Sequence, residues 1–198
     1  MMSKNKKIQK FVEHVKSVAK KHGISVILTS GKYIRLSHNI KCSGYFDGDK
    51  LVVACGKPEK EWLAILVHES CHMDQWIRKV NVWKKSAELD VTDEWLGGDN
   101  FRKKTINESI RRSIMLELDC EKRSLKKIKK FGLPINIRQY IQRANAYILF
   151  YLYLKKTRKW APASYKDRRI YSRMPRRLLR SYRVLPRRVE CLFDRYLD

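Results

Sequence analysis

His68-Glu69-Ser70-Cys71-His72 constrains this chain more than any other feature. The pentapeptide lies in an apolar run that includes Trp62, Leu66, Val67, Met73 and Trp76, and the spacing predicts a helix from about Pro58 to Val80. Pro58 suits the first turn, and Glu59 and Glu61 suit its positive end. On such a helix the i, i+4 spacing stacks both imidazoles on one face, with the Glu69 carboxylate between them and within reach of a water that a metal would activate. Leu63, Val67 and Cys71 make the opposite side apolar as well, so the helix should be mostly buried. Two histidines and a glutamate there need partners, because an unpaired buried polar group costs roughly 1–3 kcal/mol, and a metal with its water satisfies all three.

The surrounding elements follow from periodicity and turn chemistry. Ile8, Phe11, Val12, Val15 and Val18 recur at helical spacing up to His22-Gly23, where glycine offers a C-terminal cap. Ile24 to Leu28, Tyr33 to Leu36, Cys42 to Phe46 and Lys50 to Cys55 read as three or four short strands, the last two flanking the hairpin signal Asp47-Gly48-Asp49. From Asn81 to Asn100 periodicity weakens, and Gly97-Gly98 with Asp99-Asn100 reads as a loop ending in a helix cap. A long helix, about Phe101 to Phe131, stops at Gly132 and Pro134, and an aromatic-rich helix follows over about Ile135 to Lys156. Beyond it, Pro162, Pro175 and Pro186 punctuate short helical pieces such as Arg176 to Arg183 and Arg187 to Leu197.

A catalytic zinc site takes three protein ligands and leaves a fourth position for water. His68 and His72 supply two. The other histidines, His14, His22 and His38, all precede the motif, which makes a downstream carboxylate the better third candidate. On the long helix Glu121 projects into the centre of the apolar stripe formed by Ile110, Ile114, Leu118, Leu125 and Ile128, Glu117 lies one turn earlier near its edge, and Asp119 points away. Cys71 and Cys120 read as small core residues facing away from the ligand side.

Glu117-Leu-Asp-Cys-Glu121 resembles the second motif of gluzincin-type HExxH zinc metallopeptidases, in which a ligand glutamate is followed four residues later by a carboxylate that orients a zinc histidine. The resemblance implies Glu117 as ligand and Glu121 as its supporting partner. Glutamate at 121, where that pattern usually has aspartate, leaves the two roles exchangeable. The order helix, β-meander, HExxH helix, glutamate helix is similar to the minimal zincin core of SprT-like and ImmA-like peptidases, over about residues 1–131, and the short basic composition resembles metallopeptidases encoded by bacteriophages. The implied fold is α+β, with a zincin-like domain at 1–156 and a basic C-terminal segment at 157–198. The implied function is zinc-dependent hydrolysis of a protein or peptide substrate, with Zn2+ held by His68, His72 and Glu117 and with Glu69 as general base. In such folds the strand Lys50 to Cys55 is placed to pair with an extended substrate.

Charge bounds the partners. Lys and Arg outnumber Asp and Glu 45 to 20, for a formal +25, more than solubility requires. From Lys155 to Asp198 there are 15 Lys/Arg against 4 Asp/Glu, interleaved with Trp160, Tyr165, Tyr171, Tyr182 and Tyr196, a composition suited to phosphate contacts and base stacking. The competing reading is therefore a zinc-stabilised basic protein that binds nucleic acid or an acidic host protein and cleaves nothing. An intact Glu69 favours the hydrolase, since a purely structural site has no use for the base. Five cysteines without C-x-x-C spacing suggest reduced thiols of a cytoplasmic protein, in the host cytoplasm if the chain is phage-encoded. The longest apolar run, Ala144 to Leu154, is too short to span a membrane, and the polar, basic N-terminus does not look like a secretory signal.

Overall fold

A computed structural model describes residues 3–36, 41–179 and 182–195 of the chain. They form two compact units, Met1–Val80 with Cys120–Ile135 and Asn81–Asp119 with Asn136–Asp198.

The first unit opens with α1 (Lys4–Lys21), capped by the Ser3 hydroxyl and ended where Gly23 takes a left-handed φ of 71°. Ile8, Phe11, Val15 and Ala19 are its buried stripe. Among the described residues, short strands follow: β1 (Ser25–Thr29), β2 (Ile34–Arg35), β3 (Lys41–Cys42), β4 (Gly44–Phe46) and β5 (Lys50–Ala54). The Asp47-Gly48-Asp49 turn joins β4 and β5 as an antiparallel hairpin, as the sequence predicts, with the Asp47 carboxylate accepting from the Asp49 and Lys50 amides at 3.1 and 2.9 Å.

The sheet differs from the expected meander. Its order is β1-β5-β4 with β1 parallel to β5, and β2 and β3 pair apart as a two-stranded ribbon. The reason is legible in β5, where Leu51, Val52, Val53 and Ala54 are all buried: a run apolar on both faces belongs in the centre of a sheet. Because β1 and β4 already occupy both its sides, β5 cannot receive a peptide strand, and that expectation for Lys50 to Cys55 is corrected. Among the described residues, the edge strands of this sheet are β1 and β4.

The motif helix α2 (Glu59–Ile77) has no side-chain cap at Pro58 but carries Glu59 and Glu61 in its first turn. It buries Leu63, Leu66, Val67, Cys71 and Met73 together with Ser70, His72 and Gln75. The end of α5 (Lys103–Phe131) completes the unit, and Lys127 ties it to α2 by donating from Nζ to the Ser70 carbonyl (2.9 Å) and hydroxyl (3.0 Å) and pairing with Asp74 (3.0 Å).

The second unit is helical. Two short helices, α3 (Asn81–Glu88) and α4 (Thr92–Gly97), occupy the stretch of weak periodicity, at 8 and 6 residues too short for a period to register, and residues 98–100 after them are non-helical, where the loop is expected. The core is built between the first part of α5 and α6 (Ile137–Thr157), from residues such as Ile110, Ile114, Leu149, Phe150 and Tyr153. Three short helices follow: α7 (Ala163–Lys166), α8 (Arg168–Tyr171) and α9 (Arg187–Asp194).

The C-terminal segment is part of that core. Ile170, Tyr171, Met174, Tyr182, Val189 and Phe193 are buried in the same cluster as α6. Polar residues of α6 hold the irregular stretch: Gln142 donates to the carbonyls of Ser172 (2.7 Å) and Met174 (2.9 Å). Asn145, fully buried, donates to those of Pro175 and Arg177 (both 2.9 Å) and accepts from the Tyr182 hydroxyl. Residues 176–179 are not helical, and the rest of the expected Arg176 to Arg183 helix includes residues 180–181, outside the described residues, as do Tyr196 and Leu197. Asn145→Ala should lower stability by roughly 2–3 kcal/mol, because it strands several buried backbone and hydroxyl groups, against about 1 kcal/mol for the more exposed Gln142→Ala. Denaturant midpoints of the two variants check this, and an Asn145→Ala protein as stable as wild type would show the segment to be loosely held.

No helix among the described residues is long and apolar enough to cross a membrane.

Candidate metal centre

His68 and His72 project from the same face of α2, and their Nε2 atoms approach to 3.2 Å with the rings at 82°. Each ring is fixed from behind. His68 Nδ1 meets the Glu121 carboxylate at 3.1 Å, and His72 Nδ1 meets the Gln75 side-chain oxygen at 2.8 Å. Both partners are acceptors at those atoms, so each Nδ1 carries the proton and each Nε2 presents a lone pair. Two lone pairs facing one another at this distance call for a cation between them. Nitrogens each at about 2.0–2.1 Å from a tetrahedral zinc ion lie about 3.3 Å apart, which the observed spacing matches.

Glu117 and Cys120 add further candidate donors. His68, His72, Glu117 and Cys120 each offer one ligand atom, all within 4.8 Å of one another. Glu117 and Glu121 are only 7% and 5% exposed, one turn apart on α5, and Glu121 Oε2 is buried with no hydrogen-bond partner among the described residues. Two buried carboxylates so close carry a desolvation and repulsion cost of several kcal/mol that a divalent cation offsets. The residues present therefore fit a metal ion.

Cys120 is corrected: it does not face away from the histidines. Its Sγ lies 3.6 Å from His68 Nδ1, and its thiol donates to the His68 carbonyl at 3.4 Å. Residue 120 is only about 100° from Glu121 around the helix, so both reach α2. Its sulfur nonetheless sits on the Nδ1 side of His68, whereas the two histidine lone pairs converge on the Nε2 side. Cys71 is buried as expected and accepts from the Ser124 hydroxyl at 3.4 Å. Burial pushes its thiol pKa up, but a hydrogen bond with Cys120, the Lys127 charge and Ser124 outweigh it and bring the value to about 7. None of the five cysteines forms a disulfide.

Glu69 is half-buried and lies outside the group of candidate ligands. Its Cγ sits 3.3 Å from where a Cβ on Gly44 would be, and the same Cβ would come within 2.5 Å of Ile65 Cγ2. Gly44 is thus the residue that lets edge strand β4 run against the motif helix at the level of Glu69. Gly44→Ala should cost roughly 1–3 kcal/mol by forcing Ile65 aside, measurable as a drop in thermal midpoint. An unchanged midpoint would mean that β4 can withdraw freely.

Around Glu117 the second unit places three tyrosines. The Tyr147 hydroxyl donates to Glu117 Oε1 at 3.3 Å and lies 3.0 Å from the Tyr151 hydroxyl, while the Tyr165 ring packs on Tyr147 at 5.2 Å. Burial and then the Glu117 charge push the pKa values of Tyr147 and Tyr151 well above the usual tyrosine range, so both remain protonated donors. Sequence reasoning did not single out Tyr147, Tyr151 or Gln75 for the site. Only Gln75 had a local signal, lying three residues beyond His72 on the same helix face.

Of the remaining candidates, His14 and His22 are exposed on and just after α1, and His38 lies outside the described residues. The aromatic residues expected to stack nucleic-acid bases are mostly core: Tyr171 and Tyr182 are buried and Tyr165 packs on Phe150 at 5.0 Å, leaving Trp160 exposed. No protein-family model, curated protein or solved structure matches the chain.

Proposed function

We propose that this protein is a zinc-dependent metallopeptidase of the gluzincin type, with His68, His72 and Glu117 as ligands. The observation that carries the reading is the approach of the His68 and His72 Nε2 atoms to 3.2 Å within a group of candidate ligands that includes the buried Glu117 and leaves the intervening glutamate outside. When bound, zinc would supply Lewis acidity and lower the pKa of a water to near 7. Glu69 takes the proton of the attacking water and passes it to the leaving amine. Glu121 and Gln75 hold the imidazoles in the tautomer that ligation requires. Edge strand β4, which passes beside Glu69, takes the substrate as an added extended strand. The single oxygen ligand and the intact base favour hydrolysis over the non-catalytic reading, and the burial of Tyr171 and Tyr182 with the packing of Tyr165 on Phe150 reduces the stacking surface that nucleic-acid binding would use.

The test is a peptide library prepared from a digested proteome, incubated with protein as purified, after chelation, and after readdition of zinc, with new termini read by mass spectrometry. Cleavage lost on chelation and restored by zinc supports the proposal. A zinc-loaded protein that leaves the library intact would favour the non-catalytic binding protein.

A further inference from the structure

A glutamate can ligate zinc through one oxygen or both, and the choice decides whether a coordination position stays open. In this chain one Glu117 oxygen is already engaged: Oε1 accepts from Tyr147 at 3.3 Å. The Tyr147 hydroxyl has a single proton, and a carboxylate can only accept, so with Tyr147 donating to Glu117 the 3.0 Å contact to Tyr151 has one direction, Tyr151 O–H to Tyr147 oxygen. The chain Tyr151, Tyr147, Glu117 is thus a polarised hydroxyl relay ending on the carboxylate, each bond strengthening the next. Ring packing holds it in place. Tyr147 and Tyr151 are one turn apart on α6 with centroids at 5.4 Å and planes at 65°, and Tyr165 closes on Tyr147 from the other side.

We propose that the Tyr151–Tyr147 relay is a positioning device that holds Glu117 to ligation through its other oxygen alone, keeping the fourth coordination position available to water and substrate. The inference rests on the reading of Glu117 as a metal ligand. A site closed by a bidentate carboxylate would have the character of a structural zinc site; a three-ligand site with an open position is the catalytic type. Neither tyrosine is needed to touch substrate.

The experiment measures zinc affinity by chelator competition, and coordination by the visible spectrum of the cobalt-substituted full-length protein, in wild type, Tyr147→Phe, Tyr151→Phe, Tyr171→Phe and Glu117→Ala. Tyr171 is the control, a buried tyrosine whose hydroxyl accepts from Gln139 and Arg143. Tyr147→Phe is expected to weaken zinc binding about 10–100-fold and to shift the cobalt spectrum towards higher coordination number. Tyr151→Phe should do the same more weakly, and Tyr171→Phe should do neither. Affinity within about twofold of wild type and a superimposable cobalt spectrum for Tyr147→Phe would overturn the relay. Should Tyr147→Phe fail to fold, Tyr151→Phe decides alone, with an unchanged spectrum and affinity counting against the proposal. If wild type binds no metal, or Glu117→Ala retains full affinity, the ligand reading fails and the relay with it. Wild-type binding that depends on Glu117 but not on Tyr147 sinks the relay only.

Discussion

Glu69→Gln is expected to lose at least about 100-fold in peptide hydrolysis while keeping one zinc per chain and an unchanged thermal midpoint. The separation of these readouts follows from geometry. Glu69 sits between the two histidines in sequence but outside the cluster of candidate ligand atoms, so an isosteric amide removes the base without removing a donor. A hydrolytic rate that requires an ionised base should fall on the acid side of its pH profile, and that limb should vanish in Glu69→Gln. A variant that cleaves as fast as wild type would show that Glu69 is not the base. Unchanged biological activity in that variant would favour a protein whose zinc is structural.

Removing a ligand should have the largest effect on the metal. His68→Ala, His72→Ala and Glu117→Ala are each expected to lose zinc affinity by more than about 100-fold, and Glu121→Ala and Gln75→Ala by about 10–100-fold, since the latter two orient imidazoles without contributing the donor atom. Elemental analysis and competition titrations read the ranking. Ligation needs both histidines neutral at Nε2, so protons compete with the metal and affinity should fall as pH is lowered. Retention of zinc by Glu117→Ala together with its loss in Glu121→Ala would exchange the two carboxylate roles. If neither mattered, the gluzincin assignment would fail.

The pattern of what was legible follows the range of each interaction. The motif helix, α1, the long glutamate helix and the β4–β5 hairpin rest on local signals, namely 3.6-residue periodicity, a glycine cap and an Asp-Gly turn, and the sequence alone located them to within a few residues. The pair of imidazoles on one face is likewise a property of a single helix. What a helix wheel cannot say is which neighbour a face meets. It centred Glu121 on the buried stripe, and only the packing of α5 on α2 put that carboxylate behind His68 Nδ1 and brought Cys120 to the same ring. The parallel pairing of β1 with β5 joins strands about 25 residues apart, and no local turn encodes it. The C-terminal segment shows the same limit from the other side: arginines alternating with aromatic residues suit a nucleic-acid surface by composition, yet α6 offers Gln142, Asn145 and an apolar face that draw those rings inward. Composition and period state how much apolar surface must be buried; tertiary structure decides against what, because burial free energy is non-directional and only the packed chain selects the partner.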